Sequence, residues 1–100
     1  MDPEKPDITI SDVVISTAGR DQGDWFYVIG ADETWLLLVN GKNRTLESPK
    51  RKKRKHVEKV LRSETRVAEK LLSGDKVLNG ELRRDLAFLS RGMQATDLGG

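Results

Sequence analysis

Six consecutive cations, Lys50, Arg51, Lys52, Lys53, Arg54 and Lys55, lie between Pro49 and His56 in a chain whose net charge is only +2. Between Lys42 and Arg62 there are ten Lys and Arg against Glu47 and Glu58, a local net of +8. The rest of the chain carries eight cations and fourteen anions, a net of −6. A basic segment on an otherwise acidic chain points to a polyanionic partner. The chemistry available to it is neutralisation of phosphates, which gains free energy from counterion release. Lys42, Arg44 and Arg20 are candidates to flank the run. PKRKKRK also matches a nuclear-localisation pattern, but its place between two expected strands favours a pinned loop.

Other residues offer less. Trp25, Phe26, Tyr27 and Trp35 could stack on unpaired bases, although a small core claims large side chains first. Alternation along a strand turns either Trp25 and Tyr27 or Phe26 outward. Asp21 and Asp24, beside Gly23, suit a turn in which carboxylates accept from local amides better than a catalytic pair. His56, the single histidine, sits among cations, a poor place for a general acid. With no cysteine and one histidine, disulfides and the usual zinc sites are excluded. No nucleophile–base constellation and no P-loop is visible, so neither an enzyme nor a cofactor is expected.

The elements that must position these residues are read from pattern and punctuation. Residues 1–10, with Pro3 and Pro6 among charges, form an expected flexible lead-in. Strands are expected over Asp12–Ile15, continued by Ser16 and Thr17, over Trp25–Ile29 and over Thr34–Val39. Gly19 and Gly23 enclose the turn between the first two. Asn40-Gly41 predicts a two-residue hairpin, Lys42–Leu46 its returning strand, and Pro49 its end. Val57, Val60 and Leu61 suggest a last strand. Ser63 is placed to cap a helix carrying Val67, Ala68, Leu71 and Leu72, with Gly74 closing it. Asn79 is placed to cap a second, with Leu82, Leu86 and Leu89 on one face and Gly92 at its end. Residues 93–100 are expected to be a disordered tail. The longest apolar block, Trp35–Val39, is too short to cross a bilayer. The polar, acidic start is neither a signal nor a transit peptide, so a soluble cytoplasmic protein is expected.

VVISTAGRDQGDWFYVIG resembles the KOW motif, a strand–turn–strand unit of small SH3-like barrels in ribosomal and transcription-elongation proteins. The likeness rests on the β-branched residues before Gly19, the spacing Gly19-Arg20-Asp21-Gln22-Gly23 and the apolar strand that follows. Continued through NGKNRTLESPKRKKRKHV, the chain is similar to the KOW ribosomal proteins of the archaeal and eukaryotic large subunit (fourteen-e, six-e and twenty-seven-e) and their short bacterial relatives, over Ser11–Leu61. It departs from the motif in having Trp25-Phe26-Tyr27 where a third glycine is common, and Gln22 where a basic residue often precedes the second glycine.

The expected architecture is therefore mainly β with C-terminal helices: a five-stranded SH3-like (KOW) barrel over 11–62 and an α-helical hairpin over 63–92. The expected function is non-catalytic binding of structured RNA, as in a ribosomal or ribosome-associated factor. The competing class is a protein-interaction module docking on a transcription or translation complex.

Overall fold

A computed structural model describes residues 7–99, with side chains to Gly92. Five strands, β1 (Asp12–Ser16), β2 (Trp25–Ala31), β3 (Trp35–Val39), β4 (Lys50–Lys53) and β5 (Val57–Arg62), form one antiparallel sheet in the order β4-β3-β2-β1-β5. A single 3-10 turn, Arg54–His56, joins its two edge strands. Two helices follow, α1 (Arg66–Ser73) and α2 (Asn79–Gly99). The sheet is open, with β4 and β5 as its edges.

The strands are apolar on both faces because both faces are covered. On the inner face, Ile8, Val14, Phe26, Val28, Leu36, Leu38 and Val57 form one cluster. On the outer face, Val13, Tyr27 and Val39 stand in register and meet Val67, Ala68, Leu82 and Leu86 of the helices. Adjacent residues thus go to opposite clusters, Val13 from Val14 and Phe26 from Tyr27, as the two-residue period of a strand requires. The helices are one wall of the core.

Several expectations are corrected. Lys42–Leu46 is not a strand, and Asn40-Gly41 is not a two-residue hairpin. Gly41 has a positive φ of 75°, but Asn40 does not, so the type I′ turn is not formed. Asn40 instead accepts the amides of Lys42 and Arg44 on its Oδ1 and organises a longer loop. That loop is seated on α2: a Cβ on Gly41 would lie 2.1 Å from the carbonyl oxygen of Asn79, and Asn79 Oδ1 accepts from the Leu46 amide. The returning strand is Lys50–Lys53, and Pro49 precedes it rather than ending a strand. Thr65, not Ser63, caps α1, its hydroxyl accepting from the Ala68 amide, while Gly74 closes the helix at φ 79°. Gly92 lies inside α2, which continues into the segment expected to be a tail. Of the expected lead-in, residues 1–6 fall outside the described residues, and Ile8 is buried in the inner cluster.

Candidate nucleic-acid interface

The basic run is not a loop. Its first four residues pair with β3 in the register Trp35↔Lys53, Leu36↔Lys52, Leu37↔Arg51 and Leu38↔Lys50. A strand sends alternate side chains to opposite faces, so the six cations cannot act as one brush. Lys50 and Lys52 share the inner face with Leu36 and Leu38; Arg51 and Lys53 share the outer face with Trp35 and Leu37.

Lys52 is withdrawn from any partner. It is 7 % exposed, and its Nζ donates to Asp21 at 2.5 Å and to the Ala18 carbonyl at 2.6 Å. Ser16 Oγ donates to the same Asp21 oxygen at 2.8 Å. Burial alone would raise the Asp21 pKa, but the hydrogen bonds from Lys52 and Ser16, with the charges of Lys52 and Lys50, hold it below the ordinary value. Asp21 therefore does not serve local amides; it locks the β1–β2 turn onto β4. Gly19 and Gly23 hold that turn at φ 84° and 92°, and nothing lies within 4 Å of where a Gly23 Cβ would stand. Arg20 is exposed in the turn that Asp21 ties to Lys52 of β4.

The outer face is different. Helices cover Val39 and Tyr27, but Leu37 stays 38 % exposed and Trp35 half-buried. Across the strand pair the Arg51 guanidinium lies 4.0 Å from the Trp35 ring centroid, and Lys53 Nζ 5.4 Å. Such contacts hold both cations over the indole while their charges stay in solvent. Lys53, Arg54 and Lys55 then line a shallow cavity of about 300 Å³ with Glu33 and Thr34. Arg54 is anchored there, Nε donating to the Asp32 carbonyl at 2.7 Å. The Asp32 carboxylate accepts the amides of Trp35 and Thr34, which with Arg51 and Arg54 nearby lower its pKa.

Lys42 and Arg44 do not flank this strip. Lys42 lies at the other end of the sheet, in a groove with Trp25 and Arg83, and Arg44 is half-buried in the loop held by Asn40. Trp35 as the uncovered aromatic and Arg83 as a second distant cation were not legible in the sequence, because both depend on pairing across the fold. Phe26 and Tyr27 are fully buried on opposite faces. Among the described residues no group of three His, Cys, Asp or Glu is placed to hold a metal ion, and no helix is long and apolar enough to cross a membrane. No family model matches the sequence, and no curated protein matches it.

Proposed function

We propose that this protein binds RNA without catalysis, through phosphates held by Arg51, Lys53, Arg54 and Lys55, with Arg20 and Lys50 at the adjoining edge. The observation that carries this reading is the uncovered corner of the outer face, where Arg51 and Lys53 lie over Trp35. Cations position a nucleic acid backbone, and an indole with a guanidinium on it offers planes on which an unpaired base can stack. Lys52 has no part in it. The finer architecture we propose is an SH3-like barrel of the KOW kind. It is supported by the tight glycine turn between β1 and β2 and by the 3-10 turn that links the two edge strands. The partner we propose is structured ribosomal RNA, read by shape and charge, in the cytoplasm.

The test is the salt dependence of affinity for a ribosomal RNA fragment. Neutralising about four phosphates gives a slope of log K against log salt of roughly −3. A slope near zero overturns the reading. A second reading, docking of a protein, is favoured by Phe88, Leu72 and Leu78, which are 61 %, 60 % and 56 % exposed on or beside the helices. A flat salt slope together with a protein partner lost on Phe88→Ser would favour it.

A further inference from the structure

At the end of the sheet opposite the Trp35 strip, the start of β2, the loop after β3 and the side of α2 enclose an open groove of about 410 Å³. Asp24, Trp25, Lys42, Asn43, Arg83 and Leu86 line it. It is a cavity of the size that takes small ligands, with one large aromatic among mostly polar and charged groups. Trp25 is half-buried: part of its ring packs against the outer-face cluster, and the remainder is open to the groove. The Arg83 guanidinium is fixed by donating from Nη1 to the Gly41 carbonyl at 2.8 Å. Gly41 is buried and seated against Asn79, so this wall is rigid. Asp24 and Lys42 are exposed and their side chains engage no partner among the described residues, although they line the same groove. A carboxylate and two cations that do not neutralise one another suit a ligand bearing both hydrogen-bond donors and negative charge.

We infer that this groove takes an unpaired nucleotide, with its base on Trp25 and its phosphate between Lys42 and Arg83. Stacking on one aromatic with a cation at the backbone is how single-stranded nucleic acid is held. Asp24 adjoins Trp25 in sequence and offers two acceptor oxygens at that end of the groove. Among the four bases only guanine presents two adjacent N–H donors on its pairing edge, so guanine is the preferred occupant. The inference rests on the RNA reading for its polymer and on its own residues for its site. The groove and the Trp35 strip are separated by the length of β2, about 20 Å at roughly 3.3 Å per residue. One RNA strand emerging from a structured region can therefore touch both.

The two tryptophans make the test direct. In the full chain labelled with nitrogen-15, each indole N–H gives one resonance, assigned by Trp25→Phe and Trp35→Phe. An unpaired eight-nucleotide RNA containing guanines should shift the Trp25 signal, whereas a blunt duplex should not. Lys42→Ser, an exposed change, should weaken that response about two- to fivefold, the weight of one exposed charge pair. An otherwise identical RNA without guanine should bind at least about fivefold more weakly, and Asp24→Asn should remove that preference. If Trp35 responds and Trp25 is silent, the groove inference is overturned while the RNA reading stands. If both are silent, both fall. If the duplex shifts Trp25 equally, or an acidic peptide does so and RNA does not, the groove is not a nucleotide site.

Discussion

Lys52 and Lys53 are neighbours of equal charge with opposite fates. Lys52 points inward to Asp21, and its removal leaves a largely buried carboxylate without its cation. Lys52→Ser should cost about 3 kcal/mol, the low end for breaking a buried pair because Asp21 keeps some solvent contact. In a domain of this size that lowers the melting temperature by more than about 10 °C. Lys53→Ser should change stability by less than about 0.5 kcal/mol and weaken RNA binding instead. Paired thermal melts and binding titrations of the two variants check both outcomes; equal stability would place Lys52 outside the core. The pair also has an acid limit. The Asp21 pKa is held below its unfolded value, so its contribution is complete above about pH 4 and is lost as the pH falls through the folded value. The wild-type advantage over Lys52→Ser should therefore shrink below that pH.

At the scale of elements, the helices and the sheet are interdependent. Val67, Ala68, Leu82 and Leu86 bury Val13, Tyr27 and Val39, and truncation after Arg62 would expose that entire row. Residues 1–62 keep every cation from Lys42 to Arg62 but should lack a cooperative melt, and their near-ultraviolet circular dichroism should be flat. A cooperative transition in the truncated chain would show that the sheet folds alone. The turns are similarly committed. Gly23→Val forces a β-branched residue to φ 92°, at a cost of about 1–3 kcal/mol, with open space around the new Cβ. The loss should appear as lowered stability, measured by denaturant titration; an unchanged midpoint would mean the turn tolerates another conformation.

For the whole molecule, one polar network reports how the layers are joined. The Tyr27 hydroxyl donates to Asp85 of α2, bonds Ser63 at 2.8 Å and lies 3.2 Å from the Thr65 hydroxyl, which itself donates to the same Asp85 oxygen. Burial, reinforced by the hydrogen bond to Asp85 and its charge and opposed by Ser63 and Thr65, pushes the phenol up to about 12. Its contribution to stability is therefore fully present below pH 10, the unfolded value, and is lost as the pH rises from there through 12. Tyr27 is the only tyrosine, so the rise in absorbance near 295 nm with pH follows its ionisation alone. The native chain should titrate near 12 and the denatured chain near 10; coincident curves would mean the network does not form.

Local rules were enough for β1, β2, β3 and β5, for the positive φ at Gly19 and Gly23, and for the αL close of α1 at Gly74. Those features depend on residues adjacent in the chain: β-branched runs, glycine's freedom and helical spacing. The same rules placed the fourth strand eight residues early, because Asn40-Gly41 is a hairpin signal only when its loop is unclaimed. Here Asn79, thirty-eight residues beyond Gly41, claims it. The basic run was legible as a charge and not as a surface. Composition counts six cations, but pairing with β3 assigns them to two faces, buries Lys52 against Asp21 and sets Arg51 and Lys53 on Trp35. Charge is a property of each residue; which charges meet solvent together is decided by strand register and by how much of the sheet the helices cover.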